Sequence, residues 1–231
     1  MSFPDEQKKA AGEAAAQLVE SGMIVGLGTG STAAWFVRAL AARMQDEKLD
    51  VRAIATSAAT AALAEVLGIP LLELSHVEID LTIDGADEIG PGLSLIKGAG
   101  AALLREKLVW EASRRCVVIA DAGKRVARLG KCALPIEVIP FGHASTALRI
   151  CDALAACDIG AAPRQRIYDG EPVVTDGGNL IYDVVCGAIE EPSLLADALK
   201  SVTGVVEHGL FLDLADEALV GTDKGVERLT P

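Results

Sequence analysis

MIVGLGTGSTAAWFVRALAARM, Met23 to Met44, decides how the chain folds. An apolar run of strand length, MIVGL, meets a loop of glycine and hydroxyl residues and passes straight into a helix that runs through Ala33 to Met44. A strand, a tight loop and a helix form the first half of a β-α-β unit, and repetition of that unit builds a parallel sheet. The repetition is there. VRAIAT is followed by a helix around Ala58 to Leu67, and PLLEL and IDLTI read as strands. A second glycine loop then leads into a helix from Ala101 to Arg114, and CVVIA closes the series. Upstream, Asp5 can cap an Ala-rich helix that closes at Ser21-Gly22. The expected architecture is a parallel α/β sheet, whose ligands lie outside the carboxyl ends of the strands.

From about Lys131 the pattern changes. ALPIEVI reads as a strand, Ala144 to Cys157 as a helix and RQRIY as a strand, while VVTDGGNLIYDVV reads as two strands meeting at a Gly-Gly turn. Pro192 opens another helix at its first position, and VVEHGLF is a further strand. Two β-α-β units back to back describe a small α+β domain of ferredoxin-like type. The tail EALVG-TDKG-VERL reads as a hairpin returning to the first domain. The division expected is residues 1–130 with 208–231 as the larger domain and 131–207 as a smaller one inserted into it.

Composition narrows the function. The 231 residues are 51% apolar but only 3% aromatic, which suits helices packed on a parallel sheet. A formal net charge of −12 argues against a nucleic-acid backbone as partner, and an anionic substrate would need local donors to offset the overall field. No apolar run approaches the roughly 20 residues that span a bilayer. The N-terminal stretch is charged and amphipathic, without the apolar core of a signal peptide. Cys116, Cys132, Cys151, Cys157 and Cys186 are scattered and odd in number, and read as reduced thiols of a cytoplasmic protein. His76, His143 and His208 lack metal-ligand spacing.

The chemistry gathers just after the strands. GTGST (Gly28 to Thr32) follows MIVGL, DGAD (Asp84 to Asp87) follows IDLTI, KGAG (Lys97 to Gly100) follows LSLI, and DAGK (Asp121 to Lys124) follows CVVIA. Parallel strands bring such segments to one rim. GTGST opens a helix, so its N–H groups, the Ser31 and Thr32 hydroxyls and the helix dipole favour an anion, and Lys124 tilts that toward phosphate. It is neither a dinucleotide fingerprint nor a Walker loop; the plain alternative is a glycine turn with a serine cap. Glu106 sits mid-stripe on its helix, with Ala102, Leu103, Val109 and Trp110 at i±3 and i±4. Desolvation there disfavours the charged form, which suits a general base near neutrality. The rival is a rim glutamate paired with Arg105 or Lys107. Lys97 can donate to a developing oxyanion and keep Asp84 or Asp87 ionised. The DGAD acids fit a polyol-binding rim, with an oxygen-ligated Mg²⁺ as the rival account, and Glu88 reads as solvated.

In this order and spacing, GLGTGSTA, TIDGADEI, KGAGAALLREK and IADAGK closely resemble the A-type ribose-5-phosphate isomerases of the pentose phosphate pathway. The resemblance runs over essentially the whole chain and includes ALPIEVIP and the TDGGN turn. It implies a Rossmann-like α/β domain, a parallel sheet with helices on both faces, carrying a smaller inserted α+β domain. It implies interconversion of ribose 5-phosphate and ribulose 5-phosphate without metal or organic cofactor, in a cytoplasmic homodimer or homotetramer. Matched by position, Glu106 is the base that moves a proton between C1 and C2. Asp84 and Lys97 assist ring opening and proton transfer between O1 and O2, Lys97 stabilises the enediolate, and Asp87 is the next candidate for proton transfer. Thr29, Gly30, Ser31, Thr32, Asp84, Gly85, Ala86, Asp87, Lys97, Gly98, Ala99, Gly100 and Lys124 match substrate-binding positions, and Lys8 matches a further phosphate contact. Two other classes stand beside this one. Sugar-phosphate-sensing regulators usually carry a DNA-binding helix pair, which this acidic chain lacks. Amino-sugar phosphate deaminases are expected to use a histidine in ring opening, and none lies in these motifs.

Overall fold

The computed structural model describes residues 3–231. Met1 and Ser2, which begin the charged N-terminal stretch, lie outside the described residues. The chain forms two compact units: Met1–Ala86, Arg105–Arg125 and Asp213–Pro231 make the first, Asp87–Leu104 and Val126–Leu212 the second. Among the described residues no helix is long and apolar enough to cross a membrane.

The first unit is built on a six-stranded sheet in the order Gly225–Leu229, Glu217–Thr222, Cys116–Asp121, Leu81–Gly85, Ile24–Leu27, Arg52–Ala55. Every pairing is parallel except the last hairpin, Glu217–Thr222 with Gly225–Leu229. The tail does return to this sheet as a hairpin. Period-two alternation divides the strands between two apolar layers. Val25, Leu27, Leu81 and Ile83 pack with Phe36 and Leu40 of the helix Ser31–Glu47 and with Ala11 and Ala15 of the helix Phe3–Ala16. Ile24 and Ile54 pack with Val109 and Ala112 behind the sheet's other face. Helices therefore cover both faces, as a parallel sheet requires. The first two helices approach closely at Gly12, where a Cβ would lie 2.7 Å from the Phe36 nitrogen.

Local boundaries differ from the sequence reading for physical reasons. The first helix already contains Phe3, so Asp5 lies in its first turn rather than capping it, and it ends at Ala16. PLLEL makes one bridge, Leu71 to Ala53, instead of a strand. The helix expected from Ala101 begins at Leu103, because Ala101 takes a left-handed φ of 56° in the turn before it.

In the second unit the chain runs Leu134–Val138, helix His143–Ala156, Arg164–Gln165, Leu180–Val184, helix Pro192–Lys200, Val205–His208. The fourth of these strands lies beside the first, then come the third and the second, all antiparallel. That is the β-α-β-β-α-β ferredoxin-like arrangement. Ile136, Val138, Tyr182 and Val184 bury against Ile150, Leu154, Leu195 and Leu199 of the two helices. A small second sheet joins Leu210–Phe211 to Leu95–Ile96 and Glu88–Ile89. These pairings draw residues 87–104 into this unit, although their place in the sequence puts them between strands of the first. VVEHGLF is split at Gly209, whose Cβ would fall 2.2 Å from the Lys97 carbonyl, so one half pairs in each sheet. RQRIY is split likewise at Arg166. Upstream of the Gly-Gly turn only a single bridge, Val174 to Leu180, replaces the expected strand.

Candidate active site

In the first unit the GTGST loop is fixed by the strand beside it. The Gly28 N–H donates to the Ile83 carbonyl at 2.9 Å. A Cβ on Gly28 would meet Asp84 Oδ1 at 2.2 Å and Asp84 Cα at 2.4 Å, so only glycine lets the strands approach this closely. Asp84 is fully buried. Its Oδ1 accepts from the N–H of Thr29 at 2.9 Å and of Gly85 at 2.7 Å, and Trp110 Nε1 reaches Oδ2 at 3.4 Å. A buried carboxylate needs such donors in place of the water it has lost. Gly30 then adopts φ 107°, and the helix starts at Ser31 with no side chain capping its first turn. Thr32 is buried and Ser31 exposed. The uncapped N–H groups and the helix dipole make an anion seat.

Three hydroxyls support this loop that the sequence reading did not single out. Thr29 Oγ1 lies 2.7 Å from Thr56 Oγ1, 2.8 Å from Ser57 Oγ and 3.3 Å from Thr60 Oγ1. Thr56 Oγ1 donates to the Leu27 carbonyl and Thr60 Oγ1 to that of Gly28. Ser57 also caps the helix Ala58–Val66 by accepting from the Thr60 N–H. The signal was present as a capping serine with two threonines, but such a trio reads equally as ordinary capping. Lys124 ends a 3₁₀ turn, Ala122–Lys124, capped by Asp121. Gln7 Oε1 accepts from the Ala122 N–H at 3.2 Å, so the turn rests on the helix that carries Lys8. Both lysines are partly exposed.

Glu106 is 4% exposed, between fully apolar neighbours Leu103 and Val109. Arg105 is exposed, whereas Lys107 is buried too, at 7% exposure. Trp110 lies one turn beyond Glu106 on the same helix face, and its indole reaches Asp84, so that face is turned toward the end of Leu81–Gly85.

In the second unit Lys97 is 2% exposed, with Nζ 5.4 Å from the centroid of the Phe211 ring. That spacing permits a cation–π contact. Its backbone N–H donates to the Gly209 carbonyl. Asp87 Oδ2 accepts from the Ala99 N–H at 2.8 Å, which ties Asp87 to the KGAG loop, and Gly98 holds φ 110°. Arg166, read from the sequence only as part of the strand RQRIY, donates to the Gly98 and Ala99 carbonyls. Glu88 corrects its reading as a solvated acid. It is buried and accepts from the N–H groups of Gly130 and Cys132, bracing a returning loop whose donors need partners. Among the described residues no group of three or more His, Cys, Asp or Glu side chains is arranged to hold a metal.

The comparisons agree on one relationship. Residues 52–225 match the family of ribose 5-phosphate isomerase A (phosphoriboisomerase A). The chain is 69% identical over 228 residues to a ribose-5-phosphate isomerase A of Caulobacter vibrioides (strain NA1000 / CB15N), covering 98% of this chain and 99% of the relative. Ribose 5-phosphate isomerase from Plasmodium falciparum superposes with a TM-score of 0.94 at 37% identity, over 98% of this chain and 99% of the other. A D-ribose-5-phosphate isomerase solved with phospho-erythronic acid superposes at 0.92 and 37% identity, each chain covered to 100%. By sequence and by structure, this chain belongs to the ribose 5-phosphate isomerase A family.

Proposed function

We propose that this chain interconverts D-ribose 5-phosphate and D-ribulose 5-phosphate through an enediolate, with Glu106 as the base. The observation that carries the reading is the burial of Glu106, a carboxylate almost wholly withdrawn from water on a helix face turned toward Asp84. In the open-chain aldose, Glu106 takes the proton from C2. The C–H electron pair becomes the C1–C2 double bond, and the carbonyl pair moves onto O1. Lys97 balances that charge, and its withdrawal from water makes the interaction stronger than it would be in solvent. A proton passes from O2 to O1 with help from Asp84, and Glu106 returns its proton to C1. The net result is a C1 alcohol and a C2 ketone, with no redox partner consumed. Asp84, with Oδ1 held by two N–H groups, suits the ring-opening step, and Asp87 accepts from the substrate's hydroxyls.

The phosphate goes to the uncapped helix start at Ser31, with Thr29 to Thr32, Lys124 and Lys8 around it. Gly85, Ala86 and the KGAG loop let backbone approach the sugar. The relative's ligand supports this. Phospho-erythronic acid combines a phosphate with a planar carboxylate, the shape and charge of the proposed intermediate. In this proposal the larger domain carries the base and the phosphate seat, the reaction draws on no metal or organic cofactor, and the working protein is a cytoplasmic homodimer or homotetramer.

Glu106→Gln tests it. The amide keeps the shape but cannot take the proton, so kcat for ketose formation should fall by about 10² to 10⁴-fold. Binding of ribose 5-phosphate should change little. Wild type should exchange deuterium from C2 into solvent during turnover, and the variant should scarcely do so. A variant with near-full turnover would move the base to Asp84 or Asp87.

A further inference from the structure

Arg166 lies where the chain leaves the four-stranded sheet, between Arg164–Gln165 and Ile167–Tyr168. Its own backbone is pinned there. The N–H donates to the Ile181 carbonyl, and the carbonyl accepts from Val173. The guanidinium is gripped edge-on by Asp183, Nε to Oδ2 at 2.7 Å and Nη2 to Oδ1 at 2.5 Å. Asp183 stands on Leu180–Val184, an interior strand of the sheet, so the fork is held by rigid structure. A two-pronged Arg–carboxylate pair fixes the plane of the guanidinium as well as its place. The remaining nitrogen, Nη1, then donates to two successive carbonyls, Gly98 at 2.9 Å and Ala99 at 3.0 Å.

The target of that nitrogen is the loop that follows Lys97. Between two glycines the peptides turn easily. The peptide joining Gly98 to Ala99 is held at both ends, its carbonyl by Arg166 and its N–H by Asp87 Oδ2. The next peptide, Ala99 to Gly100, has its carbonyl on Arg166. Among the described residues there is no cis peptide bond, so the Gly100 N–H must point away from Arg166, opposite to that carbonyl. Ala101 N–H closes the turn onto the Gly98 carbonyl.

We propose that Arg166, aimed by Asp183, is a positioning residue for the isomerisation: it sets the Ala99–Gly100 peptide so that the Gly100 N–H donates to an oxygen of the reacting sugar. The proposal rests on the isomerase reading given above. It assigns the small ferredoxin-like sheet a catalytic task, because the sheet aims a donor that sits three residues from Lys97. Lysine cannot replace this arginine, having no second edge for Asp183 and no fixed plane.

The test uses the full chain with Arg166→Ala, Arg166→Lys, Asp183→Asn and, as a control on the same strand, the exposed Arg164→Gln. Ketose formation, thermal unfolding and binding of phospho-erythronic acid are measured for each. Arg166→Ala should lower kcat by about 10²-fold, the cost of a group misplaced by about 1 Å, with KM moving far less. Arg166→Lys should recover little of it, Asp183→Asn should fall between, and Arg164→Gln should match wild type. Added guanidinium should restore part of the Arg166→Ala rate, and ammonium at the same ionic strength should not. Full activity of Arg166→Ala in a protein whose wild type is active would overturn this proposal and leave the isomerase reading intact. An inactive wild type would instead remove that reading. If Arg166→Ala melts early, and neither guanidinium nor Arg166→Lys treats activity differently from stability, the pair only holds the fold and the proposal fails.

Discussion

Replacing Gly28 by alanine should damage stability and turnover together, and the structure gives the size of the effect. The added Cβ would sit 2.4 Å from Asp84 Cα, where ordinary contact begins at 3.4 Å. The obstacle is backbone in the neighbouring strand, so no rotamer change relieves it, and the strands must part by about 1 Å. Overpacking of this kind costs about 1–3 kcal/mol. Parting the strands also loosens the Thr29 N–H bond to the Asp84 carboxylate, and a bond to a charged group is worth about 1.5–3 kcal/mol. A loss of about 3 kcal/mol lowers Tm by roughly 6–12 °C in a chain of this size. In the proposed site the same displacement would carry Asp84 and the helix start at Ser31 out of register with the substrate, worth about 10²-fold in kcat/KM. Thermal unfolding by circular dichroism and ketose formation read the two effects. Gly85→Ala is the control for stability, since its Cβ would meet nothing closer than 3.7 Å and Tm should barely move. A Gly28→Ala protein that melts with wild type and turns over normally would refute the reasoning.

Free ribose should be a far poorer substrate than its 5-phosphate, in kcat as well as kcat/KM, because the proposed phosphate seat at Ser31 would supply binding energy realised partly in the transition state; comparable turnover would reduce GTGST to a turn. Exhaustive chelation should leave isomerisation unchanged, and activity lost to EDTA and restored by a divalent ion would sink the metal-free reading. Burial alone would raise the Glu217 carboxyl, but hydrogen bonds from Arg228 and Arg115 outweigh it and hold Glu217 below the ordinary carboxylate range. A lowered value stabilises the fold above the unfolded pKa and is lost as pH falls through the folded one. Glu217→Gln should therefore melt well below wild type at about pH 7, and the gap should close below about pH 4; a gap that does not change with pH would refute this.

What could be read from the sequence was set by how local each cause is. Strand, loop and helix in MIVGLGTGSTAAWFVRAL follow from neighbouring residues, and so does the apolar stripe around Glu106, which its burial bears out. The tail hairpin and the ferredoxin-like order were legible for the same reason. Glu88 was not. Its partners, Gly130 and Cys132, are 42 and 44 residues away, and nothing in TIDGADEI distinguishes a solvated acid from one that satisfies a distant loop. Arg166 and Thr60 were hidden in the same way, since their partners lie 68 and 32 residues distant. The splits at Gly209 and Arg166 depend on what the backbone meets, which hydropathy does not encode.

The three carboxylates crowded into DGADE no longer conflict with an anionic substrate. A chain of net charge −12 would repel a sugar phosphate if its acids stood bare. Glu88 faces the N–H groups of a returning loop, Asp84 those of Thr29 and Gly85, and Asp87 that of Ala99. Each charge is met by backbone dipoles before the substrate arrives, at little cost in reorganisation. The start of the helix at Ser31 offers donors of the same kind, N–H groups that no side chain caps. Where backbone dipoles hold charge the main chain must come close, and glycine stands at positions 28, 30, 85, 98 and 100. At Gly28 the requirement is one of contact, because no side chain fits against Asp84; at Gly30 and Gly98 it is one of conformation, because φ is positive. The glycines and the acids thus answer to one design, in which buried charge is held by the main chain and the main chain is held by the fold.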